Sequence, residues 1–225
     1  MDKRTRIFTA LDSADLDAVR ALAQSIAGAV DGLKLGLEFF TALGPAGIRG
    51  IAQLGLPIFL DVKLHDIPNT VAGAIRSLAP LAPYYLTLHA AGGTDMLNAA
   101  RETAHEEAAR LGLTPPRLLA VTVLTSLDEG DLAQQGVAGP AQDQVVRLAE
   151  LARRAGIDGI VSSPREIAAI RAALGDGFDI VVPGIRPGGG GAQDQKRVMT
   201  PGEAVRAGAS ALVIGRPITN AADPA

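Results

Sequence analysis

The 225 residues carry 21 Lys and Arg against 24 Asp and Glu, a formal charge of -3 and an isoelectric point near 5.6, which offers no basic field for nucleic acid. With 48% hydrophobic residues and no cysteine, the chain can bury one large core but can form neither a disulfide nor a thiolate metal site. No apolar run approaches the roughly 20 residues that span a bilayer, the charged opening Met1 to Arg6 is unlike a signal segment, and no linker divides the chain, so the expectation is one cytoplasmic domain over residues 1–225.

Ile7 to Leu11 is a short apolar run closed by Asp12, the pattern of a buried strand with a charge at its carboxyl end. Leu16, Val19, Ala23, Ile26 and Val30 then fall near one face of a helix. The second run, Leu33 to Leu37, contains Lys34, and the third, Ile58 to Leu64, contains both Asp61 and Lys63. Strand side chains alternate faces, so Asp61 and Lys63 project together while Leu60, Val62 and Leu64 face the other way. Asp66, Ile67, Pro68 and Thr70 follow where the strand should give way to a helix; Asp66 is placed either to cap that helix or to serve a site.

Five more apolar runs follow: Tyr85 to His89, Leu118 to Leu124, Gly159 to Ser162, Ile180 to Pro183 and Ala211 to Ile214. Helical patterns separate most of them, including an amphipathic segment within Asp131 to Ala155. About eight strand–helix alternations predict an α/β fold, a closed (β/α)8 TIM barrel, with a doubly wound open sheet as the alternative. The aromatic content of 3% predicts an interior layered with branched aliphatic side chains.

In such a barrel Asp12, Lys34, Asp61 and Lys63 meet at the mouth as a formally neutral set, each charge offsetting part of the desolvation of the others. The bland alternatives are a lysine that reaches solvent and a structural salt-bridge network. The run Pro183 to Gln195, P-G-I-R-P-G-G-G-G-A-Q-D-Q, reads either as a surface loop or as half of a phosphate clasp. Its position after the seventh strand, with Gly215 and Arg216 after the eighth, favours the clasp: Arg186, Arg216 and backbone N–H groups around a dianion. His65, His89 and His105 show no metal-ligand spacing. A Mg2+ site at Asp61 and Asp66 would have Lys63 competing for the same negative charge.

Taken together, L-D at Leu11, K-L-G at Lys34, D-V-K-L-H-D-I-P-N-T from Asp61, V-L-T-S from Val123, P-G-I-R-P from Pro183, D-Q-K-R from Asp194 and I-G-R-P-I from Ile214 resemble the orotidine 5'-phosphate decarboxylase family, in order and over almost the whole chain. The Asp-x-Lys-x-x-Asp element alone is shared with barrels that decarboxylate keto sugar phosphates; Lys34, P-G-I-R-P and I-G-R-P-I select the nucleotide enzyme. The resemblance implies conversion of orotidine 5'-monophosphate to uridine 5'-monophosphate and CO2 without metal or organic cofactor. It also implies a homodimer with shared active sites, where Asp66, Ile67 and Thr70 come from the partner subunit. By the same resemblance Lys63 protonates pyrimidine C6, Asp61 lies beside the departing carboxylate, and Lys34 and Asp66 complete the charge network. Asp12 and Thr70 contact ribose hydroxyls, Thr125 the pyrimidine, and Pro183, Arg186, Gln195, Gly215 and Arg216 line the substrate and its phosphate.

Only nine residues follow Arg216, whereas the family pattern continues into a last outer helix, so the expectation is a single barrel domain whose final outer helix is truncated. Three other readings are distinguishable: a Mg2+-dependent keto sugar phosphate decarboxylase would stop in chelator, a Schiff-base aldolase would be trapped by borohydride, and a non-catalytic phosphate-binding barrel would bind without turnover.

Overall fold

In the computed structural model, which describes residues 4–186 and 199–225, the apolar runs become parallel strands that pair in sequence order. They are β1 (Arg6–Ala10), β2 (Gly32–Gly36), β3 (Ile58–Leu64), β4 (Tyr85–His89), β5 (Arg117–Val121), β6 (Gly159–Val161), β7 (Asp179–Val182) and β8 (Ala211–Ile214). β8 returns to β1 in the register Arg6↔Ala211 to Thr9↔Ile214, which closes the barrel and leaves no open sheet edge. The strand–helix alternation read from the sequence is therefore a (β/α)8 barrel.

The helices are α1 (Leu16–Ile26), α2 (Leu37–Ala52), α3 (Pro68–Leu78), α4 (Gly93–Leu111), α5 (Glu129–Gln134), α6 (Ala141–Arg154), α7 (Ile167–Leu174), α8 (Pro201–Ala207) and α9 (Arg216–Thr219). The Asp15 carboxylate caps α1 by accepting from the N–H groups of Asp17 and Ala18, both at 3.0 Å. Val19, Ala23 and Ile26 face the barrel, but the helix ends there, short of Val30, because Ala27, Gly28 and Ala29 turn the chain toward β2. Among the described residues no helix is long and apolar enough to cross a membrane.

The core has two layers. Aliphatic side chains such as Leu33, Leu35, Leu60 and Leu86 fill the space between strands and helices. The inside of the barrel departs from the aliphatic expectation. Of five phenylalanines and two tyrosines, Phe8, Phe59 and Tyr85 meet there, with ring centroids 5.3 to 5.9 Å apart in tilted and edge-on pairs. Small residues make room for them: a Cβ on Gly32 would come within 2.5 Å of the Phe8 ring. At the amino ends of the strands the Tyr85 hydroxyl donates to Oδ2 of Asp179 at 3.1 Å, and Arg117 reaches the same oxygen at 3.0 Å. Burial, then the nearby Asp179 charge, push the Tyr85 hydroxyl well above its ordinary range, so it remains a donor. The bottom of the barrel is thus plugged by rings and a hydrogen-bonded ion pair, while among the described residues the carboxyl ends stay open.

Candidate active site

β1, β2 and β3 bring four charges to the open end. Lys34 projects from the middle of β2, with its side chain 11% exposed, and its Nζ lies 3.0 Å from Oδ1 of Asp12, just past the end of β1. The same ammonium is 3.8 Å from Oδ2 of Asp61, and Lys63 donates to that Oδ2 at 2.7 Å. The resulting chain of charges runs Asp12, Lys34, Asp61, Lys63, alternating in sign. Asp61 is only 8% exposed, a degree of burial tolerable for a carboxylate because two ammonium groups and a hydroxyl compensate its lost hydration.

Asp61 and Lys63 do converge, but not through regular alternation. Leu60 pairs with Leu86 and Leu64 with Leu88, so Asp61, Val62 and Lys63 together oppose the single residue Thr87 on β4. Within this bulge Lys63 takes a left-handed backbone conformation, φ +50°. Its N–H donates to Thr87 Oγ1 at 2.9 Å, and Thr87 donates in turn to Asp61 Oδ1 at 2.9 Å.

These charges floor a cavity of about 620 Å³. Asp12, Thr125, Pro183, Arg186, Gly215 and Arg216 all line it. Gln195 and the Gly188 to Gly191 run lie outside the described residues. The cavity is acidic and basic at its floor, with Arg186 and Arg216 on the β7 and β8 side, and Val121, Val123 and Leu124 form an apolar wall. An elongated ligand with an anionic end and a flat polar head matches that division.

Asp66, Ile67 and Thr70 do not line this cavity. Asp66 is exposed and accepts from the N–H of Ile67 at 2.7 Å, while Ile67 itself is the residue preceding α3 and Pro68 opens the helix. The capping role is therefore not used: the N-cap position is Ile67, one residue later, and no side chain accepts from the first turn of α3. The exposed segment also contains the most exposed large apolar side chain of the described residues, Ile67 at 67%. His65 and His89 lie with ring centroids 5.2 Å apart and neither lines the cavity.

Sequence reasoning missed Thr87, Ser162 and Asn220. Ser162, at the carboxyl end of β6, and Asn220, after α9, line the cavity; for Ser162 the strand-end position was the available signal. Thr87 has no charge to draw attention and reveals itself only through the bulge.

The family model described as "Orotidine 5'-phosphate decarboxylase / HUMPS family" matches residues 5–225. A protein of Rhodospirillum rubrum named orotidine 5'-phosphate decarboxylase is 54% identical over 220 residues, covering 97% of this chain and 89% of the relative. A Sphingopyxis alaskensis protein of the same name is 55% identical over 218 residues, covering 97% and 93%. The crystal structure of orotidine 5'-phosphate decarboxylase from Lactobacillus acidophilus superposes with a TM-score of 0.83 at 37% identity, covering 98% of this chain and 94% of that one.

Proposed function

The chain belongs to the orotidine 5'-phosphate decarboxylase / HUMPS family, and from that premise we propose that it converts orotidine 5'-monophosphate to uridine 5'-monophosphate and CO2 in pyrimidine biosynthesis. The observation that carries the reading is the contact of Lys63 Nζ with Asp61 Oδ2 at 2.7 Å on the cavity floor, backed by Lys34 at 3.8 Å.

When the bond from C6 to the carboxylate breaks, its electron pair stays on C6 and CO2 leaves. No adjacent carbonyl takes that charge as a simple enolate, so the site itself must stabilise it. The Lys63 ammonium, fixed by Asp61, is attracted more strongly as the carbanion develops, then donates a proton to C6 and regains one from solvent. Asp61 beside the substrate carboxylate adds a repulsion that vanishes with CO2. Lys34 balances the two carboxylates on either side of it, and the Arg186 and Arg216 side of the cavity receives the phosphate.

The complete unit of this proposal is a homodimer. Asp66, Ile67 and Thr70 stand outside their own chain's cavity on an exposed segment, which supports their serving the site of a second copy. Asp66 would then close the charge network and Thr70 reach the ribose.

The test is the ultraviolet absorbance change of orotidine 5'-monophosphate with purified protein in excess chelator, with Lys63→Ala alongside. Turnover by wild type alone supports the reading. A folded, dimeric wild type without turnover excludes it, and turnover that chelator abolishes points to metal-dependent chemistry instead.

A further inference from the structure

Every charged group at the floor of the site is held by another charge, yet one neutral side chain touches both members of the reacting pair. Thr87 is fully buried on β4, does not line the cavity, and so cannot meet the substrate. Its hydroxyl has one hydrogen and accepts one bond here. The partners fix both directions, because the backbone N–H of Lys63 can only donate and the ionised carboxylate of Asp61 can only accept. A closed circuit results: Lys63 N–H to Thr87 Oγ1, Thr87 O–H to Asp61 Oδ1, and Lys63 Nζ to Asp61 Oδ2.

We propose that Thr87 is a positioning residue for the decarboxylation, its hydroxyl locking the backbone of Lys63 and the carboxylate of Asp61 in one register so that the ammonium stands over the reacting carbon. The inference rests on the functional reading above. Its basis is topological as well as local. Asp61, Val62 and Lys63 crowd opposite one residue, so the regular ladder lacks a partner for the Lys63 N–H, and the Thr87 hydroxyl supplies it. Lys63 also holds φ +50°, a conformation that relaxes toward the ordinary strand region once its amide is released. Such relaxation would swing Nζ away from the place where charge develops. The binding end of the cavity, with Arg186 and Arg216, is on the far strands and does not depend on this circuit.

Valine keeps the shape of threonine and removes the hydroxyl; serine keeps the hydroxyl and removes the methyl. Steady-state kcat and KM for orotidine 5'-monophosphate, with thermal melting, are measured for wild type, Thr87→Val and Thr87→Ser. For Thr87→Val kcat is expected to fall roughly 10- to 100-fold, the scale of losing a hydrogen bond to a charged group, with KM changed by less than about threefold. Thr87→Ser is expected to stay within about threefold of wild type in both constants. A purely structural role would lower the melting temperature without this split, and a Thr87→Val enzyme with wild-type kcat overturns the proposal. So does a Thr87→Ser enzyme as slow as Thr87→Val, which would place the effect in the methyl group. If Thr87→Val does not fold, Thr87→Cys carries the test: its thiol is a weaker donor at the same place, so kcat must fall below that of Thr87→Ser, and equality overturns the proposal. An inactive, folded wild type removes the functional reading itself, an outcome separate from any of these.

Discussion

Lys34 Nζ and Asp61 Oδ2 stand 3.8 Å apart, within ion-pair reach but beyond a hydrogen bond, because Lys34 is drawn toward Asp12 at 3.0 Å. Gly36 permits this arrangement, since a Cβ there would lie 3.0 Å from Lys34 Nζ and 2.9 Å from Asp12 Oδ1. Both atoms end flexible side chains, so Gly36→Ala should leave the fold intact and displace the charges. The expected result is a fall in kcat of roughly 3- to 100-fold, the cost of moving a catalytic group by a fraction of an ångström to an ångström. Kinetics and melting curves on the same sample check it; wild-type kcat would mean that Lys34 tolerates displacement.

Arg216 lines the cavity from the start of α9, after β8, whereas Lys63 lines it from β3. Arg216→Ala should therefore lower kcat/KM for the nucleotide far more than for the phosphate-free nucleoside. Equal losses on the two substrates would remove Arg216 from the phosphate site.

Sharing of sites between subunits has its own signature. Lys63→Ala and Asp66→Asn homodimers should each be inactive, because each spoils both sites. Random exchange of the two makes half the dimers mixed, and one site in each mixed dimer has both native residues, so roughly a quarter of all sites should recover. Absence of recovery, with exchange verified by differently tagged subunits, would show that Asp66 acts elsewhere.

Half-buried His89 packs against His65, with Lys63 and Asp61 nearby. Burial first, and then the charges of His65 and Lys63, hold its imidazole below the usual 6.5, with Asp61 opposing. A lowered folded value means that the unfolded chain binds the proton more readily. Stability should therefore be fully present above the unfolded value and fall as pH drops from there toward the folded one. His89→Gln should narrow the difference in urea midpoint between pH 7.5 and about pH 5, a window set by the ordinary histidine value. An unchanged difference would assign the acid sensitivity to other groups.

The barrel was legible because a parallel strand buried on both faces must be apolar, so the residues that break the pattern, Lys34, Asp61 and Lys63, advertise themselves. The route by which Asp61 meets Lys63 was not legible. Leu60, Val62 and Leu64 look like ordinary alternation, and only the pairing of Leu60 and Leu64 with the closer-spaced Leu86 and Leu88 exposes the bulge. Composition likewise gave the number of aromatic residues without their location, and the clustering of Phe8, Phe59 and Tyr85 depends on small neighbours brought from other strands. Asp66 was ambiguous for a different reason: it is exposed and accepts from the adjacent Ile67 N–H, so its surroundings in the chain mark it neither as a cap nor as a site residue.

The left-handed backbone at Lys63 sets folding against chemistry at a single position. A residue with a Cβ gives up roughly 1–2 kcal/mol in that conformation, and glycine gives up almost none. The variant with the most relaxed backbone at residue 63 is therefore one without an ammonium group. Selection for stability alone would erode this site from the inside, and a search for more heat-resistant versions of the protein should expect inactive ones with residue 63 changed among its hits.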